Sequence, residues 1–304
     1  MRQEGLPARM DFQTEVISVT ESGEFQMRFI PDPRRYEKIS GQSEGETLYV
    51  DKYFGHAIPL RALVEGDWDG LPVYYRPPLI KSVGDYVRER ELAVGETLRS
   101  GSFVPPSQMP DCHTTIQPHS ALMAFVSVDV CGSSALRSQN AAQYDRSFET
   151  MLMELGTSLG HFHAQIFKTT GDGFIAYLDE PSFTTMSDNT VDLCLTLAGL
   201  MQNSVNPGLQ AANLPPLQIR IGADAGQSIA KKISIPSTGF ELTDISSDAL
   251  NRAVKIQEAA PSGKVAIGFA LYSLLHVQWL ERCKPMDFDG ISVGIPDYLA
   301  FDVA

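Results

Sequence analysis

The sequence predicts an α+β protein whose C-terminal part forms a ferredoxin-like sheet, because its elements follow the order strand, helix, hairpin, helix, strand. The apolar run at residues 122–129 is typical of a buried strand. Apolar residues then recur at helical spacing from Tyr144 to Leu159. Between two short apolar runs stands Gly171-Asp172-Gly173, which suits the positive φ angles of a tight hairpin.

The elements after the hairpin complete this order. Residues 190–203 predict a second helix, and residues 217–223 predict a further strand. A third helix is expected at 247–259, followed by a short strand at 264–267. The C-terminal part therefore alternates regularly between helices and strands.

The chain of 304 residues is long enough for two domains of ordinary size. A stretch rich in proline and polar residues at 104–118 predicts a linker. We expect a strand-rich N-terminal domain at residues 1–103, with short alternating apolar and polar runs and one helix near 80–98. Residues 119–304 form the second predicted domain. The first domain shows no catalytic cluster, and its sequence indicates no specific role.

Composition and charge exclude several classes of protein. A net charge of −13 disfavours capture of nucleic acid, because an acidic surface repels phosphates. No apolar run is long enough to span a membrane, and the first ten residues lack the apolar core of a secretory signal. We therefore expect a cytoplasmic protein without a membrane partner. Its four cysteines are far apart and lack the spacing of metal ligands, so reduced thiols are expected at Cys112, Cys131, Cys194 and Cys283.

Two carboxylates are the strongest candidates for chemistry. Asp129 ends the first predicted strand and Asp172 occupies the hairpin tip, 43 residues later. These two places are adjacent in a ferredoxin-like sheet, and two neighbouring carboxylates repel each other unless cations lie between them. The pair therefore indicates a site for Mg²⁺ or Mn²⁺, whereas the alternative is that Asp172 serves only the turn. The small residues Gly132, Ser133 and Ser134 follow the strand, and backbone N–H groups there suit phosphate.

Five segments in order resemble the class III adenylyl/guanylyl cyclase catalytic domain. The five segments occupy residues 125–134, 167–173, 219–226, 244–255 and 260–265. The first two read Phe-Val-Ser-Val-Asp-Val-Cys-Gly-Ser-Ser and Phe-Lys-Thr-Thr-Gly-Asp-Gly. Each segment alone is unspecific, but their order and spacing match the family from about residue 119 to 302. The resemblance implies conversion of a nucleoside triphosphate to a 3′,5′-cyclic nucleotide.

The resemblance also implies roles for individual residues. Two divalent cations, Mg²⁺ or Mn²⁺, are expected at Asp129, Val130 and Asp172. The triphosphate is expected at Arg220, whose guanidinium fork suits phosphate.

Further roles follow from the same resemblance. Lys168 and Asp244 fall on the base-reading positions, and Asn251 matches the residue that orients the ribose. In this family two chains pair head to tail and share two active sites, so a homodimer is expected.

Two departures from the family pattern leave a second interpretation open. Lys255 stands where the family has a transition-state arginine, and lysine lacks the bidentate fork. The family's phosphate-binding lysine has no counterpart at 287–295. The chain is therefore either an active cyclase with other phosphate contacts or a catalytically weak pseudo-cyclase that binds nucleotide. The other candidate contacts are Lys231, Lys232 and Arg137. Three additional residues between Gly222 and Asp244 also weaken the alignment of Asp244.

The nucleobase follows only in part from these residues. Lys168 donates hydrogen bonds and Asp244 accepts them, a pattern that fits adenine, uracil or cytosine. Guanine is disfavoured, because guanylyl members of the family carry glutamate where Lys168 stands. The stand-alone chain also resembles the bacterial pyrimidine cyclases of Pycsar antiphage systems, whose product activates a separate effector. UTP is therefore the first expected substrate, with ATP as the main alternative.

Overall fold

The computed structural model describes residues 6–20, 23, 25–39, 47–59, 76–110 and 116–304. The chain divides into two compact units. The larger unit consists of Met1–Pro7, Tyr74–Leu274 and Arg282–Ala304, and the smaller unit of Ala8–Val73 and Leu275–Glu281. Part of the predicted linker, residues 111–115, lies outside the described residues, as does Cys112. The other three cysteines are free thiols.

The smaller unit is strand-rich, as the alternating N-terminal sequence predicts. Its strands are β1 (Phe12–Val19), β2 (Phe25–Pro31), β3 (Tyr36–Ile39), β4 (Leu48–Asp51) and β5 (Ala57–Pro59). β1 pairs with β2, while β3, β4 and β5 form a separate antiparallel sheet. Arg35 is buried between the carboxylates of Asp11 and Asp51, each 2.9 Å away, so its charge is paired on both sides.

The larger unit is built on one mixed sheet. Its strands are β6 (His119–Val130), β7 (Gln165–Thr169), β8 (Gly173–Leu178), β9 (Ile219–Ile235), β10 (Phe240–Ser246), β11 (Val265–Gly268), β12 (Cys283–Met286) and β13 (Ala300–Val303). Their spatial order is β12-β13-β11-β9-β6-β8-β7, and β10 pairs with β9. The predicted α+β fold is confirmed, with β6 between β8 and β9 near the centre of the sheet.

The four longest helices in the described part of the chain each begin at a capping side chain. The described helices are α1 (Val83–Ser100), α2 (Ser133–Gln139), α3 (Ala141–Leu159), α4 (Phe183–Leu200), α5 (Asn206–Ala211), α6 (Asp248–Ala259), α7 (Phe269–Tyr272) and α8 (Val277–Leu280). Serine or asparagine side chains at 82, 140, 182 and 247 accept the first free N–H groups of α1, α3, α4 and α6. None of the described helices is long and apolar enough to cross a membrane.

Helices cover both faces of the central strands. α6 packs beside Met123 and Phe125 of β6, in a buried cluster that also includes residues of β8 and β10. Ala124 and Val126 alternate with these residues and are also buried, and α4 packs against β6 and β9. The alternation of β6 therefore assigns one strand face to α6 and the opposite face to α4.

The segment after Gly226 differs from the expected short strand. β9 extends to Ile235 and returns as β10 through a turn in which Gly239 has φ 68°. Exposed and buried residues alternate along the first part of this extension, which is typical of a half-buried strand. This arm was not predicted from the sequence.

Helix α1 belongs to the larger unit, although its sequence lies within the predicted N-terminal domain. Arg90 of α1 and Glu154 of α3 form a bidentate ion pair at 2.8 Å, and each side chain is 1% exposed. This contact joins α1 to the C-terminal helices. The domain boundaries at 103 and 119 stay predictions.

Candidate active site

The site starts from one row of residues across the sheet. Asp129, near the end of β6, is paired with Gly173 of β8 on one side and with Arg220 of β9 on the other. Paired residues on neighbouring strands lie about 5 Å apart and share a face. Arg220 accordingly reaches the Oδ2 atom of Asp129 with its Nη2 atom at 3.1 Å.

The β7–β8 hairpin brings Asp172 to this row through two glycines. Gly171 has φ 95°, a left-handed conformation that side chains rarely adopt. A Cβ atom on Gly173 would lie 1.9 Å from the carbonyl oxygen of Val128, so only glycine lets β8 approach β6 this closely. The N–H of Val130 then donates to the carbonyl oxygen of Asp172 at 3.0 Å. The two aspartates named by the sequence analysis therefore lie side by side.

Electrostatics distinguish Asp129 from an ordinary surface carboxylate. Burial raises the pKa of Asp129, hydrogen bonds from Arg220 oppose this rise, and the negative charge of Asp172 adds to it. Asp172 accepts a 2.6 Å hydrogen bond from the Ser133 hydroxyl, which fixes the orientation of its side chain. Two adjacent carboxylates with oxygen atoms available are the donor set that Mg²⁺ and Mn²⁺ prefer. The residues present thus fit the Mg²⁺ or Mn²⁺ that the resemblance implies.

The loop after β6 is short and solvent-accessible. Gly132 has φ 68° and precedes α2, while Ser133 is half-buried and Ser134 is exposed. The loop also carries Cys131, whose N–H donates to the carbonyl oxygen of Gln218 at 2.7 Å. The hydrogen bond from Ser133 to Asp172 places this predicted phosphate-binding loop next to the two aspartates.

The predicted base-reading residues lie along a different part of the same sheet. Lys168 is exposed on β7, where its Nζ atom lies 5.1 Å from the centre of the Phe167 ring. Asp244 lies on β10 opposite Lys231. Phe167 and Ile245, their sequence neighbours, pack in the apolar cluster that also contains residues of α6. No contact described in the structure joins Lys168 or Asp244 to Asp129 within one chain.

Helix α6 carries the two predicted catalytic residues. Asn251 is exposed on its first turns, and Lys255 lies one turn further on. The Lys255 ammonium pairs with Glu258 at 2.8 Å, and the carbonyl oxygen of Glu258 accepts from Arg220 at 2.9 Å. The end of α6 is thereby joined to the row that contains Asp129.

Of the other candidate phosphate contacts, two already have acidic partners. Lys232 pairs with Glu241 at 2.7 Å, and Arg137 pairs with Asp145 at 3.0 Å. Lys231 lies on the β9–β10 arm. In the last segment, residues 290–293 form a single 3-10 turn between β12 and β13.

A buried polar cluster on β9 was not predicted from the sequence. Asp224, in the middle of β9, is fully buried and bonded to Arg252 of α6 and to Tyr298. The available signal was a single acidic residue inside the run Ile-Gly-Ala-Asp-Ala-Gly, which otherwise has the composition of a buried strand. A buried carboxylate of this kind requires a partner, and the partner is distant in sequence.

Comparisons with known proteins agree with this arrangement. The guanylyl cyclase Cya2 is 15% identical with a TM-score of 0.54, over 62% of this chain and 94% of that one. The adenylyl cyclase CyaB from P. aeruginosa is 16% identical with a TM-score of 0.54, over 62% and 96% of the two chains. The guanylate cyclase domain of RhGC from Catenaria anguillulae, in complex with GTP, is 14% identical with a TM-score of 0.52, over 62% and 98%. At these identities the likeness concerns the fold alone. No curated protein gives a significant match.

The family described as the adenylate and guanylate cyclase catalytic domain matches residues 117–291, more than half of the chain. This range contains both strands of the Asp172 hairpin, the row through Asp129 and helix α6. The order of motifs, the mixed sheet and the family match thus agree, and the chain belongs to the adenylate and guanylate cyclase catalytic domain family as a nucleotidyl cyclase.

Proposed function

We propose that the protein converts a nucleoside triphosphate to its 3′,5′-cyclic monophosphate and pyrophosphate by two-metal catalysis. The observation that carries this proposal is the adjacency of Asp129 and Asp172, with Arg220 hydrogen-bonded to Asp129. Carboxylates 43 residues apart are held together by a hairpin that requires glycine at its closest point. Such a costly arrangement of like charges is expected where cations and polyphosphate bind.

The proposed roles divide between binding and charge stabilisation. Asp129 and Asp172 would hold the cations with their carboxylates, and Val130 would contribute its backbone carbonyl oxygen. At these residues, Mg²⁺ or Mn²⁺ would supply a lower pKa for the ribose 3′-hydroxyl and positive charge against the triphosphate. Arg220, which lies beside Asp129, would hold phosphate oxygens, as the family resemblance implies.

The loop residues would complete the phosphate site. The N–H groups of Gly132, Ser133 and Ser134 are the proposed phosphate donors. Ser133 also keeps the Asp172 carboxylate in one orientation, through its 2.6 Å hydrogen bond. A loop of small residues leaves space for the triphosphate beside the two aspartates.

The residues that read the ribose and base are proposed to come from a second copy of the chain. Asn251 would orient the ribose, and Lys255 would stabilise the charge that develops as the bond from the α-phosphorus to pyrophosphate breaks. Lys168 and Asp244 border the apolar cluster beside α6, whereas Asp129 lies at the end of β6. This separation favours a homodimer in which each site takes its metal residues from one protomer and its base-reading residues from the other.

For the base, we propose UTP as the substrate, so that the product is cyclic UMP. Lys168 and Asp244 supply one donor and one acceptor, which disfavours guanine and leaves ATP and CTP as alternatives. The proposed setting is the bacterial cytoplasm, where the product would activate a separate effector in antiphage defence. RhGC, solved with GTP, supports a triphosphate as ligand but not the identity of this base.

The test is incubation of the purified protein with each ribonucleoside triphosphate in Mn²⁺ or Mg²⁺, followed by mass identification of the products. We expect cyclic UMP from UTP and no product from the Asp129→Asn variant. Conversion of ATP alone would replace the pyrimidine assignment with adenylate cyclase activity. The absence of a cyclic product from all four nucleotides would reject the catalytic proposal.

Two departures from the family pattern favour a second candidate, a nucleotide-binding pseudo-cyclase. Lys255 replaces the arginine of the family and is paired with Glu258, and the segment 287–295 contains no lysine. A pseudo-cyclase would bind a triphosphate with measurable heat in calorimetry but would form no product, and Lys255→Arg would not create turnover. Product formation by the wild-type protein excludes this candidate.

A further inference from the structure

Helix α6 rests directly on the backbone of β9. Gly222, Asp224 and Gly226 alternate along the strand and therefore face the same side. A Cβ atom at Gly222 would lie 2.2 Å from the backbone nitrogen of Gln257, and one at Gly226 would lie 3.0 Å from the Cβ atom of Ala249. The helix thus approaches β9 closely at both glycines, with the carboxylate of Asp224 between them.

Asp224 is 0% exposed and has a partner on each side. Arg252 of α6 donates from Nε to one carboxylate oxygen, and the Tyr298 hydroxyl donates to the same oxygen at 2.7 Å. The other oxygen accepts from the N–H of Leu271 at 3.1 Å. Arg252 also donates from Nη2 to the carbonyl oxygen of Ala225 at 3.0 Å. The buried charge is thereby fully paired.

This pairing restricts how α6 can move. Removing one partner of a buried ion pair leaves an uncompensated charge, so rotation or sliding of the helix is costly. Arg252 directly follows Asn251, and Lys255 lies three residues further along the same helix. Arg252 is buried while Asn251 and Lys255 are exposed, so the anchor and the candidate catalytic groups occupy different sides of α6.

We propose that Asp224, Arg252 and Tyr298 form a positioning network that fixes Asn251 and Lys255 for the cyclisation step. This inference rests on the proposed function of Asn251 and Lys255. The three residues do not touch substrate in this assignment and act only through α6. A stable core alone does not require this network, because well-packed apolar side chains often stabilise a protein as much as a buried ion pair. An ion pair with directional hydrogen bonds does, however, specify one orientation of the helix.

The test compares Arg252→Lys with Arg90→Lys. Both replacements keep the charge and remove the guanidinium fork at a buried arginine–carboxylate pair, but Arg90 pairs with Glu154 away from α6. We expect both variants to lose thermal stability. Only Arg252→Lys should lower kcat per folded protein, by about tenfold or more, because small displacements of catalytic groups are costly. The KM should change by less than about threefold, since Asn251 and Lys255 act mainly in the transition state.

One further variant keeps the proposal testable if Arg252→Lys folds poorly, and one double variant tests whether Arg252 acts through Asn251. Tyr298→Phe removes one hydroxyl and should lower kcat about threefold with KM unchanged. In an Asn251→Ala background, the fold decrease in kcat caused by Arg252→Lys should be at least about five times smaller than in the wild type. The reason is that the effects of residues that act through one another are not additive.

The outcomes separate the two proposals. Equal kcat values for wild type, Arg252→Lys and Tyr298→Phe would refute the network while leaving the cyclase assignment intact. A wild-type protein without turnover on any triphosphate would refute the cyclase assignment and the network with it. A kcat loss in Arg90→Lys equal to that in Arg252→Lys would show a general effect of instability and would also overturn the positioning role.

Discussion

Gly173→Ala tests the packing that brings the two aspartates together. The new Cβ atom would lie 1.9 Å from the carbonyl oxygen of Val128 and 3.0 Å from the Cα atom of Asp129. A carbon–oxygen contact normally needs about 3.3 Å, so β8 must retreat by more than about 1 Å. Both obstacles are backbone atoms, and no change of rotamer relieves them. We expect a loss near the upper end for overpacking, about 3 kcal/mol, which lowers Tm by about 6–12 °C.

We expect kcat to fall by more than the loss of folded protein can explain. Asp172 directly precedes Gly173, so retreat of β8 moves its carboxylate away from Asp129. A displacement of about 1 Å at a reacting centre can cost about a hundredfold in rate. We therefore expect Gly173→Ala to lose about a hundredfold in kcat at temperatures where the protein is still folded.

The assay pairs urea unfolding with product formation, and Gly199→Ala is the control. Gly199 lies in α4, and a Cβ atom there meets nothing within 4 Å. The same chemical change should therefore stabilise the protein by about 0.5–1 kcal/mol, through better helix propensity. If Gly173→Ala unfolds within about 0.5 kcal/mol of the wild type and keeps its activity, the reasoning from close strand approach is refuted.

Three further predictions concern charge. Asp129→Asn and Asp172→Asn should each abolish turnover and the rise in Tm with Mn²⁺, with folding retained by circular dichroism, whereas a preserved Mn²⁺ shift would contradict the metal assignment. Lys255→Arg should raise kcat several-fold by restoring a bidentate donor, and an unchanged or lower kcat would count against its transition-state role. The hydrogen bond from Arg34 lowers the pKa of Asp32. The stability that Asp32 contributes is therefore present above its unfolded pKa of about 4 and is lost as pH falls through the native pKa. The free energies of unfolding of wild type and Asp32→Asn, measured across pH, should differ less below about pH 4 than above it. A difference that stays constant with pH would exclude this linkage.

Local patterns predicted the elements that carry the metal residues. The buried strand ending near Asp129 and the hairpin tip at Asp172 both follow from short-range sequence signals, namely an apolar run and a Gly-Asp-Gly turn. Their adjacency followed once the sheet order was assumed. Helices α3 and α6 were also predicted from local signals, because their apolar residues recur at helical spacing within one segment.

Features that depend on distant partners were not predicted. The β9–β10 arm is defined by pairing along the whole hairpin, and its polar residues obscure the strand pattern. Asp224 finds Arg252 28 residues later and Tyr298 74 residues later, a pairing that no local pattern encodes. The roles assigned to Lys168, Asp244 and Asn251 came from family resemblance and stay predictions.

The ion pair between Arg90 and Glu154 bears on how far this protein can be divided. A truncated protein starting at residue 104 would lose Arg90, the partner of Glu154, together with the rest of α1, whose Val94 and Leu98 are buried. The side chains that pack against α1 would then be exposed to water. The truncated protein would also lose Asp11, which accepts the N–H of Val277 at 3.0 Å in the smaller unit. We therefore expect the predicted second domain to be less stable when the chain is cut at the proline-rich stretch. Fusions and domain exchanges should preserve the chain on both sides of that stretch.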